Sequence, residues 1–493
     1  MIILRYVVLA SFVAFTMVAS AGTVTLQTNS PGSTPNLLAY NSGHFVPGSN
    51  TKEWWRYSGV SGARIFLTAA TLEATDDIAG RGDGVTNQAT FLSRKTELRA
   101  NPNSPTYINW TYFNDRYNLT AKHGANRLQP NYICTELRKL GVEIDLSIAA
   151  STSSTLFRTN SLDWAGNWEL WQHFYAQAFY FGRTYDVQRY QMYNEPDHVN
   201  AGPVPQDEYL IRLQFCSDAI QSALADVNAL YGKSLVPTII APVITTSSYG
   251  SWAQLVVTNR HLNFLGQTDA NFLVLQQYDY HQYNSTPATF GSNLANLRNS
   301  IAAAMSPEAP LPVSISEFNV STAANFDGTT NGPNPGTLDT PTNYSRLGAI
   351  SVNLVANGAD ELYCFKISQT DGDAGDWYPV RKNGTHYVDN ANSPYNIGGI
   401  TKAGEVWRLF NKAFAPGRQR KDFTASGFTG FSSLASYDPA TARYYVFLAN
   451  DSSAAASVTV NVAALNIPDN NRVLIEEMSE NYYGTVSHYT RVL

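Results

Sequence analysis

The chain has 493 residues, 44% of them hydrophobic and 12% aromatic, which is enough for a large core and too much for a disordered chain. Only 15% are charged, against about 25% in ordinary globular proteins, and this points away from a cytosolic housekeeping enzyme. With a net charge of −6 and no Lys/Arg-rich run, there is no electrostatic footprint for a nucleic-acid or anionic-membrane partner.

At the N-terminus, Arg5 precedes an apolar stretch from Tyr6 to Val18 and the small-x-small sequence Ala19-Ser20-Ala21. That is the pattern of a removable signal over residues 1–21, and the run is too short for a bilayer anchor. The expected product is secreted and extracellular. The three cysteines, Cys134, Cys216 and Cys364, are too few for a disulfide framework. They form one bridge at most, and three buried thiols is an equally good reading.

Strand-like apolar runs then recur with helical stretches between them: Leu37–Tyr40, Ala63–Leu67, Val142–Ile148, Gln188–Tyr193, Val236–Ala241, Phe272–Tyr278, Pro312–Ser316 and Glu361–Ile367. Over Gln206–Tyr231 the apolar residues Leu210, Leu213, Ala219, Ile220, Ala223, Leu224 and Val227 keep a 3.6-residue period, which predicts a helix. Eight strands alternating with helices predict an α/β fold, a (β/α)8 TIM barrel over residues 22–415. The segments leaving strands are long (Thr68 to about Asn109, Ser151–Asn167, Ser321–Tyr344, Ser368–Gly399), whereas those entering strands are short. Strand-leaving loops share the C-terminal face, where barrel active sites lie. Long ones there predict the walls of a groove suited to a polymer.

After Pro416 the pattern changes to short alternating runs, Phe423–Phe431, Arg443–Leu448, Ser457–Val462 and Val473–Met478. Residues 416–493 are expected to form a C-terminal antiparallel β-domain of the sandwich kind. Either the strand-like segment Thr23–Thr28 completes its sheet or the protein continues past Leu493.

Two glutamates close barrel strands. Glu195 stands in Met192-Tyr193-Asn194-Glu195-Pro196-Asp197-His198 after the fourth run, and Glu317 in Ser314-Ile315-Ser316-Glu317-Phe318-Asn319 after the seventh. Glycoside hydrolysis needs two carboxyl groups flanking the scissile bond, about 5–5.5 Å apart in retaining enzymes. Strands four and seven of an eight-strand barrel face each other across its mouth. For either glutamate alone, a helix cap or an ion pair is the alternative.

This arrangement resembles the clan A glycoside hydrolases, from about Leu37 to Phe414. The resemblance implies that Glu195 is the acid/base, Glu317 the nucleophile, and Asn194 the partner of the sugar 2-hydroxyl. It also implies that Arg64, in Gly62-Ala63-Arg64-Ile65-Phe66, lies near the nucleophile, as does Tyr283 in His281-Gln282-Tyr283. Glu317 is then expected to stay ionised beside a guanidinium and a phenol. Glu195 is expected in a partly desolvated, less compensated setting that lets it hold a proton.

Within the clan, the chain is similar to glycoside hydrolase family 86, the β-agarase and β-porphyranase group. The likeness rests on Asn41-Ser42-Gly43-His44-Phe45-Val46-Pro47-Gly48-Ser49-Asn50, on Trp54-Trp55-Arg56-Tyr57-Ser58-Gly59-Val60, on the Asn-Glu-Pro segment through His198, on Tyr280-His281-Gln282-Tyr283, and on Phe365-Lys366-Ile367-Ser368-Gln369-Thr370. It implies a hydrolase of red-algal galactans, cutting β-1,4 bonds with retention, and makes His44 and His198 candidate substrate contacts. Among loop aromatics, Trp110, Trp164, Trp252 and Trp377 are weighed as sugar platforms, with packing the commoner role for each. Trp54, Trp55 and Trp407 are assigned to the core. Lys366 is a candidate for a sulfate or carboxylate contact, with a structural ion pair as the even alternative.

Other chemistries do not assemble. There is no His-Glu-x-x-His, no Gly-x-Ser-x-Gly and no paired Cys-x-x-Cys. The glycine-rich Ala79-Gly80-Arg81-Gly82-Asp83-Gly84 lacks a strand-to-helix context for phosphate. No metal and no cofactor is expected, and the expected partner is a polysaccharide substrate rather than another protein. The competing readings are a clan A hydrolase of another β-glycan, such as xylan or a mannan, and a non-catalytic carbohydrate-binding barrel.

Overall fold

A computed structural model describes residues 20–41, 51–78, 80, 82–118, 130–149, 163–198, 204–320, 341–365, 402–427, 430–452, 456–466, 472–478 and 483–491. Strand β1 (Ser20–Leu26) precedes the barrel. The eight barrel strands are β2 (Leu37–Asn41), β3 (Gly62–Thr68), β4 (Glu143–Ala149), β5 (Arg189–Met192), β6 (Thr238–Ile244), β7 (Gln277–Gln282), β8 (Val313–Phe318) and β9 (Glu361–Phe365). They pair in sequential order, all parallel, and β9 closes on β2. All eight strand-like runs in the sequence correspond to barrel strands. The fifth and sixth are displaced, because the apolar residues of Val236–Ala241 and Phe272–Tyr278 start in the connections that feed β6 and β7.

The helix predicted over Gln206–Tyr231 forms with those bounds. Its periodic residues Leu213, Ala219, Ile220, Ala223, Leu224 and Val227 are buried, and Gly232 caps it in the left-handed conformation, φ +64°. The helix that packs most extensively against it, Trp164–Tyr185, has no polar face. Every residue from Gly166 to Gly182 is buried, so the amphipathic signature that reveals surface helices is absent. Its aromatics stack along the axis, with Trp168 on Trp171, Trp171 on Tyr175 and Tyr175 on Phe179 at centroid distances of 5.6, 5.0 and 5.8 Å. Such rings each remove a large apolar area from water and add pair energies of roughly 0.5–1.5 kcal/mol.

Beyond the barrel lie β10 (Gln419–Lys421), β11 (Phe423–Ser426), β12 (Phe431–Asp438), β13 (Arg443–Asn450), β14 (Ala456–Asn461), β15 (Arg472–Met478) and β16 (Tyr483–Arg491). The run Phe423–Phe431 divides into two strands at Gly427 and Gly430, both at positive φ. Three small sheets result, β11-β1-β14, β10-β12-β13 and β15-β16. The N-terminal segment does complete a sheet, but β1 lies parallel to β14 as well as antiparallel to β11, so the region is not purely antiparallel. Val24 and Leu26 share a small core with Ala435, Val446 and Leu448. Against the barrel, Phe447 packs on Phe410 and comes 3.2 Å from the position a Cβ would take at Gly348, so even an alanine there requires the ring to give by a few tenths of an ångström.

All three cysteines are buried thiols. Among the described residues no helix is long and apolar enough to cross a membrane.

Candidate active site

The site begins with backbone geometry at the end of β5. The chain leaves through Tyr193 and Glu195, both left-handed at φ +69° and +51°, a conformation that costs a non-glycine residue of order 1–3 kcal/mol. The surroundings hold it in place. Tyr193 N–H donates to Ile148 O at 3.2 Å, Glu195 N–H to Val243 O at 2.9 Å, and His198 N–H to Glu195 O at 3.0 Å. The Tyr193 ring is anchored through its hydroxyl by buried Arg212. From this turn the Glu195 carboxylate reaches β7, where Oε1 lies 2.8 Å from His281 Nδ1.

Glu317, one residue from the end of β8, is 7% exposed. Arg64 Nη1 on β3 donates to its Oε1 at 2.9 Å, and Tyr283 OH donates to its Oε2 at 2.9 Å. His281 Nδ1 stands 3.5 Å from that Oε2, so one imidazole nitrogen touches both carboxylates. An oxygen of Glu195 and an oxygen of Glu317 lie within 4.8 Å of each other. At that distance both carboxylates can reach one sugar ring, whose two flanking carboxyl groups stand ~5–5.5 Å apart in retaining enzymes and ~6.5–9.5 Å apart in inverting ones. Arg64 also grips Asn194, Nη2 to Oδ1 at 2.9 Å, and Gln191, Nε to Oε1 at 2.6 Å. The guanidinium thereby fixes the nucleophile candidate relative to the residue next to Glu195.

The protonation pattern departs from the simple expectation for Glu195. Burial pushes its carboxyl up, but the hydrogen bond and charge of His281, with His198 and Arg64, outweigh it and hold it below the ordinary value. Burial pushes His281 down, but the Glu317 charge and the Glu195 hydrogen bond outweigh that and raise it. His281 Nε2–H donates to Ser316 Oγ at 3.1 Å, and that hydroxyl in turn donates to buried Asp279 Oδ2 at 2.5 Å. With Nε2 so committed, Nδ1 faces Glu195 across a contact that holds one proton between them. The proton an acid/base needs belongs to this pair, not to an uncompensated carboxyl.

The same three groups, Glu195, His281 and Glu317, are close enough to ligate a cation. The Arg64 guanidinium fixed against Glu317 already supplies the positive charge, and this disfavours a metal there.

The structure thus brings together Arg64, Asn194, Glu195, His281, Tyr283 and Glu317. His198 lies near enough for its charge to act on Glu195. His44, Lys366 and Trp377 lie outside the described residues. Trp164 opens its helix, half-buried, and packs against the core on Phe91 and Phe215 at 5.8 and 6.1 Å. Trp110 donates to Pro102 O and packs on Phe179, and Trp252 packs on Tyr209. Trp55 and Trp407 are buried as expected. The sequence reading missed Asp145, Gln191, Asp279, Ser314 and Ser316, which support the site from inside the barrel. Ser314 and Ser316 both donate to Asp279 at 2.5 Å, and Gln191 donates to Asp145 at 2.8 Å. Their signal is polar residues at i, i+2 on strands whose lumen side ought to be apolar.

No protein-family model matches the sequence, and no curated relative does either. The fold is that of solved glycoside hydrolases. A family 30 endoxylanase from Clostridium papyrosolvens superposes with TM-score 0.57 at 14% identity, over 96% of this chain and 95% of that one. A glucosidase from Croceicoccus marinus gives 0.56 at 12%, over 96% and 95%. A family 51 α-L-arabinofuranosidase from Bifidobacterium longum gives 0.54 at 12%, over 96% and 94%.

Proposed function

We propose that this protein is a secreted, retaining glycoside hydrolase that cuts a β-linked polysaccharide by double displacement. A Glu317 oxygen attacks the anomeric carbon while the Glu195–His281 pair gives its shared proton, through Glu195, to the departing glycosidic oxygen. Water then attacks the glycosyl-enzyme, its proton returns to Glu195, and the Glu317 carboxylate is released. The observation that carries this reading is the pair of strand-end carboxylates with oxygens within 4.8 Å, one clamped by Arg64 and Tyr283 and the other by His281.

The charge cycle fits that order of events. The Glu317 charge is the strongest influence keeping His281 protonated. Once Glu317 is glycosylated that charge is gone, at the moment the pair has surrendered its proton and must serve as base. Asn194, oriented by Arg64, is placed to meet the sugar 2-hydroxyl.

The substrate we favour is a red-algal galactan such as agarose or porphyran, on the resemblance of the Asn41–Asn50, Asn194–His198 and Tyr280–Tyr283 segments to family 86. Of the solved structures that share the fold, one is an endoxylanase, so xylan belongs in the test. Release of reducing ends over a panel of agarose, porphyran, xylan and mannan is expected to favour the galactans. Release from xylan or mannan alone would overturn the substrate, and retention on agarose with no soluble product from any polysaccharide would overturn the enzyme.

A further inference from the structure

The segment that leaves β3, the strand of Arg64, carries a second cluster of acids. Glu73 follows the short helix Ala69–Leu72, with Asp76 and Asp77 just beyond, and one carboxylate oxygen from each falls within 4.8 Å of the others. Glu73 and Asp77 are 1% and 5% exposed. A fourth carboxylate approaches from another element: Glu169, on the helix Trp164–Tyr185, is wholly buried and feels the charges of Glu73, Asp76 and Asp83. Glu169 Oε1 accepts the Gly82 amide at 2.5 Å, while its Oε2 has no hydrogen-bond partner among the described residues. The same holds for Asp77 Oδ1 and Asp76 Oδ2.

The barrel mouth shows what balanced carboxylates look like, with a guanidinium and an imidazole set among them. Here no lysine or arginine pairs with Glu73, Asp76, Asp77 or Glu169 among the described residues. His173 Nδ1 meets Glu73 at 2.6 Å and supplies a hydrogen bond to that one carboxylate. These acids are gathered in a largely buried space, where like charges repel one another. A divalent cation removes that repulsion and uses the unpartnered oxygens.

We propose that Glu73, Asp76, Asp77 and Glu169 form a calcium site that ties the segment after β3 to the helix Trp164–Tyr185. The donor set is all carboxylate oxygen, which suits a hard cation. Mg²⁺ keeps several waters and takes one or two carboxylates, whereas Ca²⁺ accepts six to eight oxygens in flexible geometry, so a set of several carboxylates fits calcium. The backbone is built for the closure: Gly82 is at φ +83°, and a Cβ there would come 2.5 Å from the Ala165 Cβ. Only glycine lets the segment press onto the helix and deliver its amide to Glu169.

The test uses the whole protein stripped with EDTA, then CaCl₂ or MgCl₂ under calorimetry, and Tb³⁺ luminescence excited through tryptophan. Trp168, whose Nε1 donates to Asp83 Oδ2 at 3.0 Å, is the nearby antenna. Saturating CaCl₂ is expected to raise the Tm by roughly 3–5 °C, MgCl₂ by clearly less, and Tb³⁺ emission is expected to be displaced by Ca²⁺. Asp77→Asn keeps an oxygen for the Asn109 amide, which Asp77 Oδ2 accepts at 2.7 Å. It is expected to lose the calcium response while its metal-free Tm equals or exceeds that of the wild type. Glu169→Gln is the second variant should the first fold poorly. A wild-type Tm indifferent to CaCl₂, an equal response to MgCl₂, or a full calcium response in both variants would each overturn the assignment. None of these readouts depends on glycosidase activity.

Discussion

Among the described residues, the barrel strands carry two buried arginine–glutamate pairs, one at each end. At the C-terminal mouth Arg64 binds Glu317, and at the N-terminal floor Arg189 binds Glu361, each pair helped by a glutamine from a third strand. On the floor, Arg189, Gln277 and Tyr363 all donate to the same Glu361 oxygen, and the nearby Glu143 is engaged by Arg138 at 3.3 Å. A cavity of about 330 Å³ opens there, lined in part by Asn36, Arg189, Gln277 and Glu361, at the opposite end from the two strand-end carboxylates. At the mouth, Glu317 accepts one donor per oxygen and faces Glu195 across a shared histidine. A buried ion pair is therefore not a sign of chemistry. What separates the two ends is a second carboxylate with a proton to give, and lone pairs left free for a substrate.

The sharpest way to break the comparison is to remove each acid in turn. Glu317→Ala is expected to lower kcat by on the order of 10⁵-fold with an unchanged far-UV circular dichroism spectrum, Arg64 keeping Gln191, Ser147 and Asn194 as partners while the loss of its counter-charge costs stability as well. Sodium azide fills the space and partly restores turnover, giving a glycosyl azide of inverted configuration. A variant that azide leaves dead, with no such adduct by mass spectrometry, ends the case for Glu317 as nucleophile.

The floor pair is expected to answer oppositely. Glu361→Gln leaves the Arg189 guanidinium buried without a counter-charge and is expected to cost about 3–5 kcal/mol of stability. Denaturant unfolding would measure this, while kcat per folded molecule stays within twofold. Loss of activity without loss of stability would mean that the two ends are not separable as described.

How legible these ends were in the sequence follows from what each depends on. All eight strands and the helix Gln206–Tyr231 could be read because apolar runs and a 3.6 period report burial on one side of an element. Glu195 and Glu317 were legible because each stands where a strand run stops. The contacts of Arg64 and Tyr283 with Glu317, each at 2.9 Å, are legible only through family resemblance, since no local pattern brings these strands' side chains together. The shared proton with His281 was not foreseen, since it depends on two carboxylates approaching one nitrogen, a distance that no local pattern encodes. The helix Trp164–Tyr185 escaped because burial all round erases periodicity. With it went the place of Trp164, which opens the helix rather than standing in a loop, and Glu169, which feels Glu73 and Asp76 from a distant part of the chain.

The smallest expected effect concerns the residue that joins the two ends. Asp145, 1% exposed on β4, feels both Arg189 and Arg64, yet burial dominates, and with the charges of Glu361 and Asp279 it raises the carboxyl to about 7. Its Oδ2 accepts from Gln191 Nε2 at 2.8 Å, and its Oδ1 has no partner among the described residues. A raised carboxyl means that the folded protein holds a proton the unfolded chain has already released, so this contribution to stability is full below about pH 3.9 and is lost as pH rises towards 7. Asp145→Asn keeps an acceptor for Gln191 and has no proton to lose. It is expected to be more stable than the wild type at pH 8 by about 1–2 kcal/mol, well under the roughly 4 kcal/mol that the full shift implies, with the advantage fading by pH 4. If guanidinium unfolding at the two pH values shows the same difference between variant and wild type, Asp145 is ionised in the folded barrel. The two arginines would then be joined through its charge into one electrostatic unit, and the contrast between mouth and floor would lose its basis.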